Sequence, residues 1–483
     1  KWHGEQELMT LEPIKIRGEQ SEGMICAAEE LDIDDLFPEC TGHDIVDLGD
    51  GDENVGKPLK EVLGLDDVIL HIDNHAITHR ADLFSHIGFA MECAAIGIAK
   101  WKDMPEMKTP EFPSDPLPFN FRVTAEGIIP RYCACLLSID NVGETPEYMK
   151  RRLAAVGIRS ISLPIDITNY VMLEVGVPMH SFDADDIKGD CIARVSKEGE
   201  PLQTLDGQEW KLPEGALVFS DDDGNFDLVG IMGGLRSSTK ETTKHIYLHA
   251  LSLEPVRIRK TIIATGHRTD AATIYEKKVP HKSTEVGFYR ALELFLKHVP
   301  GAKIISSKEE SGDNGNPKPI KFSASKANSV LGAEIPEGTM KKIFADLGFT
   351  VTGDGEEMLV TAPLHRIGDI TGAHDLIEEV GRIYGFNNIE DTMPSASIIP
   401  PERDTRVNTM RDALQEQGYI ELLPLSLVGP DLLSRVGIDT DSCTEIDNAI
   451  GKETSLMAPS TLPALLEHAE KNLLQFDDVL RTF

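Results

Sequence analysis

Two stretches rich in proline and glycine punctuate this chain and divide its periodic segments. Pro110, Pro113, Pro116 and Pro118 crowd together, and further on Gly312-Asp313-Asn314-Gly315-Asn316 runs into Pro317 and Pro319. Proline fixes φ and removes a backbone donor, so neither stretch continues a helix or a central strand. The first reads as a linker with a polyproline II bias, the second as a domain boundary. At roughly 100–200 residues per domain, 483 residues imply about three or four units in series.

Charge narrows the function classes. The 81 acidic and 47 basic side chains give a formal charge of −34. A field of that sign repels phosphate, so a basic coat for gripping nucleic acid is excluded. No apolar run approaches the roughly 18–20 residues a helix needs to cross a bilayer. Hydrophobic content of 41% still supports packed cores. The seven cysteines are scattered without a C-x-x-C pair, which argues for a reducing compartment and against a disulfide framework or a thiolate zinc site. Cys133 and Cys135 lie two apart on an expected strand and share a face. Lys1-Trp2-His3 shows no signal peptide and no initiator Met, so the expectation is a piece of a longer protein.

Periodicity gives the elements. Ile14–Arg17 reads as a strand running into a turn at Gly18, within a β-rich start, and an acidic run between Gly18 and Gly56 reads as solvated surface. A helix is expected from Asp82, as N-cap, to about Lys100. Arg131–Leu137 reads as a strand, and Thr145 (N-cap) and Pro146 open a helix ending near Gly157. Short strands follow around turns at Asp206-Gly207 and Gly224-Asn225, and helical spacing resumes over Glu285–His298. This mixed order argues α+β. The next unit reads as strand Ile320–Phe322, helix Glu337–Leu347, a hairpin at Gly353-Asp354-Gly355 and helix Ala373–Tyr384. Beyond 401, helices are expected near Arg406–Gln417 and Pro463–Leu474.

Three constellations could carry chemistry. Asp375, Glu378 and Glu379 fall at i, i+3 and i+4 of a helix, with Asp369 just ahead of it and Leu376, Val380 and Ile383 on a separate stripe. Converging carboxylates suit Mg²⁺; the alternative is a solvated face with a Glu378–Arg382 pair. His71, His75, His79 and His86 have zinc-like spacing only on a helix, and Val68–Ile72 reads as a strand, so packed or solvated histidines fit better. Gly230-Ile-Met-Gly233-Gly234 allows close backbone approach to a ligand, or a plain turn between strands. It is not a nucleotide loop. His180, in Pro178-Met-His180-Ser-Phe-Asp183, is a lone histidine near a turn.

In this order the segments resemble the β subunit of bacterial-type phenylalanyl-tRNA synthetases. Ile16–Met24 is similar to the end of the family's OB-fold tRNA-binding domain, and Leu63–Ala95 to the piece of the first domain after it. Asp166–Glu174, Phe182-Asp183, Leu205-Asp-Gly207 and Gly230–Gly234 resemble the joined third and fourth domains. Asp375–Glu379 with Ile383-Tyr-Gly-Phe386 resembles the fifth. Asn448-Ala-Ile-Gly and Thr461–Leu466 resemble the catalytic-like module. The resemblance implies an α+β multidomain chain: an OB-fold remnant (1–60), a B1-type segment and linker (61–110), a mixed α+β B3/B4-type editing domain (111–316), a small α+β B5-type domain (317–400) and the start of a catalytic-like antiparallel α+β module (401–483), truncated at both ends.

It also implies a cytoplasmic α₂β₂ assembly on tRNA(Phe), without a membrane. The α subunit binds ATP and charges the tRNA, and this chain carries no aminoacylation residue or ATP site of its own. Mg²⁺ would sit on Asp369, Asp375, Glu378 and Glu379 at the α contact. An editing pocket hydrolysing mischarged Tyr-tRNA would involve His180, Gly233, Thr269 and Ala271, Gly233 leaving room for the ligand and His180 and Thr269 positioning the ester end or a water. Such a second site has a reason: a phenylalanine pocket cannot strongly reject a ring that merely adds a hydroxyl. Where the family has Glu in an Ile-x-Leu-Glu-Ala string, thought to read the tyrosine hydroxyl, this chain has Ile246-Tyr-Leu-His249-Ala250, and histidine also hydrogen-bonds a phenol. Thr269–Lys278 departs from the family's Arg-containing string. Two other readings are a free-standing editing hydrolase and a non-enzymatic scaffold with a decayed site.

Overall fold

The computed structural model describes residues 12–37, 40–49, 54–102, 109–124, 127–393, 399, 404–473, 475 and 479–483. The Lys1-Trp2-His3 start and the last residue of the helix expected to reach Leu474 lie outside them. The chain divides into two units, Lys1–Thr392 and Met393–Phe483.

The larger unit is built on two sheets. One places His245–Ser252 between Arg131–Ser138 and Met179–Asp183, with Lys303–Ile304 and Glu309–Ser311 along the far edge of Arg131–Ser138, all antiparallel. The other runs Met232–Gly233, Gly224–Leu228, Leu217–Asp221, Cys191–Val195, Phe121–Val123, with only the last pair parallel. Aromatic rings fill the space between the sheets. Phe121 stacks on Tyr132 at 4.1 Å, Phe182 meets Phe226 edge-on at 5.3 Å, and the Tyr132 and Tyr247 hydroxyls bond each other at 2.6 Å. The other face of the first sheet is covered by helices Leu163–Val175 and His281–His298. This explains why Arg131–Leu137 is buried at every position instead of alternating. Gly287 lets helix His281–His298 close onto the chain just past the end of Leu163–Val175, because a Cβ there would meet the Val177 Cβ at 2.8 Å.

Residues 320–386 form a three-stranded antiparallel sheet, Ile320–Phe322, Met358–Thr361 and Thr350–Thr352, under helices Ala324–Leu331, Glu337–Asp346 and Ala373–Tyr384. Phe322, Phe344, Val360, Leu376 and Val380 make its core. Ala324–Leu331 was not expected; its cap, Ser323, takes the Lys326 amide through the side chain. Near the N-terminus the described residues hold one exposed hairpin, Ile14–Ile16 with Glu19–Ser21. The smaller unit, by itself, has helices Arg406–Glu416, Pro430–Arg435 and Leu462–Asn472, one short strand pair and a core of Val428, Leu433 and Leu456.

Three local expectations are corrected. The helix begins at His86, after a 3₁₀ turn at Ala81–Phe84, because Ser85 accepts the Gly88 amide while Asp82 is held by Arg80. Pro146, and not Thr145, is the cap position of Glu147–Ala155; the Thr145 hydroxyl instead donates to buried Asp166. Val68–Ile72 is exposed and forms no strand, having no paired neighbour to satisfy it. All seven cysteines are free thiols. No helix of the described residues is long and apolar enough to cross a membrane.

Candidate functional site

Strand register builds the site. His249 lies directly opposite His180, and directly opposed residues share a face. Both rings therefore enter the space between the sheets, where Phe182 stacks on His249 at 5.1 Å and lies 4.4 Å from His180. From the facing sheet comes the hairpin of Gly224–Leu228 and Met232–Gly233, turned by Gly230 at φ +78°. It lays Gly233 against His180: a Cβ on Gly233 would come within 2.4 Å of His180 Cε1 and 2.9 Å of Leu205. The Gly-rich string is thus both a strand turn and a close approach.

A cavity of about 70 Å³ remains, walled by His180, Gly233, His249 and Ala271 together with Asp227 and Tyr275. Of the five residues expected here, four line it. Thr269 stands behind the wall: it caps helix Asp270–Tyr275 through the Ala272 amide and donates its proton to the Ile231 carbonyl at 2.8 Å. Its hydroxyl fastens the wall through these two bonds, which places it beside the pocket and not in its lining.

The pocket is polar without a cation. His180 Nε2 and both ring nitrogens of His249 are sealed from solvent and have no hydrogen-bond partner among the described residues. Burial lowers His180 to about 4 and holds His249 well below the ordinary imidazole range, His180 adding to the latter. Both rings are neutral near pH 7. Asp227 is 4% exposed, and no Lys or Arg pairs with it among the described residues. Burial pushes its carboxyl well up, against one amide bond from Gly234. Tyr275 donates to the Pro178 carbonyl, and burial, with Asp227 nearby, raises its phenol. Asp227 and Tyr275 were missed from sequence, although a lone Asp inside the apolar string Phe226-Asp-Leu-Val is a readable signal.

The four carboxylates expected to hold Mg²⁺ do not converge. Buried Arg366 donates to Asp369 at 2.6 and 2.8 Å and to Glu379 at 3.0 Å. Arg382 donates to Glu379 at 2.7 Å and to Glu92, and Arg80 donates to Asp82 at 2.6 Å. Burial alone would raise Glu379, but Arg366 and Arg382 outweigh it and hold it at about 2. For Asp369 burial prevails and its carboxyl is raised. Asp375 turns back to its own helix start, accepting the Thr371 and Gly372 amides at 2.7 and 2.9 Å. Glu378 is exposed. One residue past Glu378 turns Glu379 about 100° around the helix, onto the side of buried Leu376 and Val380. As a set the four do not fit a metal ion, and no group of three or more His, Cys, Asp or Glu among the described residues does.

Three family models match consecutive stretches: the B3/4 domain over 128–300, the tRNA synthetase B5 domain over 320–386, and the phenylalanyl tRNA synthetase beta chain CLM domain over 389–483. Curated phenylalanine–tRNA ligase beta subunits align along nearly all of the chain. That of Lactobacillus johnsonii is 31% identical over 97% of this chain and 59% of its own length. Those of Geobacter sulfurreducens and Vibrio parahaemolyticus are 34% and 33% identical over 95% and 97% of this chain and 57% and 58% of their own. This chain belongs to the phenylalanyl-tRNA synthetase β-subunit family. It spans under three-fifths of the length of these relatives. Within the family frame, the cavity lies in the B3/4 match and the arginine–carboxylate network ties residues 80–92 to the B5 match.

Two substitutions test this geometry. Gly233→Ala is expected to displace the His180 ring at a cost of about 1–3 kcal/mol, read by urea unfolding and by changed His180 imidazole NMR shifts; unaltered shifts would contradict the packing. Glu379→Gln leaves buried arginines unmatched and is expected to cost about 3–5 kcal/mol. The native carboxyl is depressed, so its contribution is full above the unfolded value of about 4.3 and is lost as pH falls through about 2. The stability gap between wild type and Glu379→Gln should therefore close on acidification from pH ~5 to ~2, which denaturant melts at stepped pH measure.

Proposed function

We propose that this chain serves as the β subunit of a cytoplasmic phenylalanine–tRNA ligase. An α subunit, paired with it in an α₂β₂ assembly, would bind ATP and charge tRNA(Phe). The B3/4 segment would hydrolyse tyrosine wrongly joined to that tRNA. The observation that carries the editing part is the cavity between His180, His249, Gly233 and Ala271, a small, half-open site in which a few polar groups stand among apolar side chains.

Ester hydrolysis needs a held water and a held carbonyl. A ring lowered to about 4 is a weak base at neutral pH. His180 therefore acts by hydrogen-bonding through its free Nε2, orienting the water or the ester without taking the proton outright. Gly233 keeps that nitrogen within reach of the cavity, and Thr269 holds the Ile231 wall in place. The expected result is that the intact complex deacylates Tyr-tRNA(Phe) and that His180→Ala slows this at least tenfold without changing phenylalanylation. No release of tyrosine by wild type would sink the editing reading. Release by this chain as a stable lone monomer would favour a free-standing hydrolase.

For Mg²⁺, Asp369 and Glu379 are spent on Arg366, so Asp375 and Glu378 are the carboxylates left at the surface. Mg²⁺ commonly takes one or two carboxylates and keeps several waters. These two would hold it at the α-subunit contact, where the ion would bridge the subunits. Mg²⁺ titration of the complex should show weakened affinity in Asp375→Asn; equal affinity in both would remove Mg²⁺ from this helix.

A further inference from the structure

The pocket holds one polar group that the editing reading leaves without a task. Asp227 sits opposite Phe219 on one neighbouring strand and opposite Gly233 on the other. Opposed residues share a face. The Phe219 ring lies 5.4 Å from His249, and His180 fills the place of a Gly233 Cβ. Asp227 must therefore project into the same space as both histidines, from the facing sheet, and it lines the same cavity.

Resting on the editing reading above, we propose that Asp227 is a specificity-determining residue, which with His249 forms a hydrogen-bonding pair that recognises a hydroxyl on the ring end of the bound aminoacyl group. The chemistry of the two groups selects that ligand. A neutral imidazole offers one donor and one acceptor, and a carboxyl accepts in either protonation state and donates when protonated. A hydroxyl both donates and accepts, so it satisfies such a pair. A carboxylate or ammonium would be buried without a counter-charge. A bare phenyl ring would leave sealed polar atoms unpaired, which is how a site built for a hydroxyl rejects its absence. His249 is 3% exposed with both nitrogens unpartnered among the described residues, so the demand for a partner is already in place. The cavity of about 70 Å³ is roughly half of the ~150 Å³ that encloses benzene. Entry of a ring therefore requires the half-buried Met179 and Met232 side chains in its wall to move, which unbranched thioethers do readily.

The test uses the full chain co-expressed with its α subunit. The probes are 3′-amino-3′-deoxyadenosine carrying tyrosyl or phenylalanyl through a stable amide, with binding followed by calorimetry. Wild type should bind the tyrosyl probe at least tenfold more tightly. Asp227→Val should bring the two affinities to within about threefold of each other by weakening only the tyrosyl probe, while Asp227→Asn, which keeps a donor and an acceptor, retains the preference. Asp227→Ala removes the carboxyl without adding volume and serves if the valine variant melts early. Absence of a wild-type preference, equal weakening of both probes, or an unchanged ratio in a folded variant overturns the proposal. Deacylation of Tyr-tRNA(Phe), measured on the same samples, separates the two claims. A complex that hydrolyses nothing yet loses its tyrosyl preference in Asp227→Val defeats the editing reading and supports this one. Hydrolysis with a preference indifferent to residue 227 does the reverse.

Discussion

Strand His245–Ser252 is hydrogen-bonded along both edges, and its register decides which side chains meet between the two sheets. A slip of one residue would turn His249 and Tyr247 toward the covering helices and bring Leu248 and Ala250 to the inter-sheet face. The cost would be large, because Tyr247 bonds Tyr132 and stacks near Phe182 in the same layer. The aromatic layer therefore fixes the register, and the register fixes the distance between the histidines and the glycine hairpin. The site inherits its precision from core packing, with the tight turn at Gly230 bringing Gly233 against His180.

The B5 match solves a different problem. Asp82, Glu92, Asp369 and Glu379 meet in one largely buried place, which uncompensated would repel. Arg80, Arg366 and Arg382 thread between them. A planar guanidinium can serve two carboxylates at once, as Arg366 does for Asp369 and Glu379. The network joins segments far apart in sequence, and removing one member leaves the others buried without a match. This makes the arrangement demanding while adding little net energy over an apolar contact.

Element type was largely readable. Strand Ile320–Phe322 and helix Ala373–Tyr384 stand where periodicity puts them, and the α+β class follows from the same pattern. The readings that failed share a cause. Helical spacing brings Asp375, Glu378 and Glu379 onto neighbouring rows, but it does not show that Arg366, ahead of the helix, folds in to take Glu379 and Asp369, or that residues 80–92 cover them. Asp82 looked like a cap because nothing in the local pattern shows that Arg80 holds its carboxylate. Val68–Ile72 has the composition of a strand without a neighbour to pair with. The cavity residues came from family resemblance, since His180 and His249 are a long way apart in sequence and only the sheet makes them partners. Asp227 escaped because its strand pairs with a hairpin whose register the sequence does not print.

The charge of −34 acts over a different range from the pocket. Field effects between exposed charges are screened within about 8–10 Å at physiological salt, so the excess of acid disfavours a broad grip on phosphate but says little about the buried ring nitrogens of the pocket. Inside, burial works against charge: His180 and His249 are driven down, Asp227 and Tyr275 driven up. What remains is short-range hydrogen bonding in a low dielectric, where an unmatched donor or acceptor is costly. The proposed editing role is compatible with the net charge on these terms: long-range repulsion of nucleic acid and short-range recognition in the pocket act through different groups.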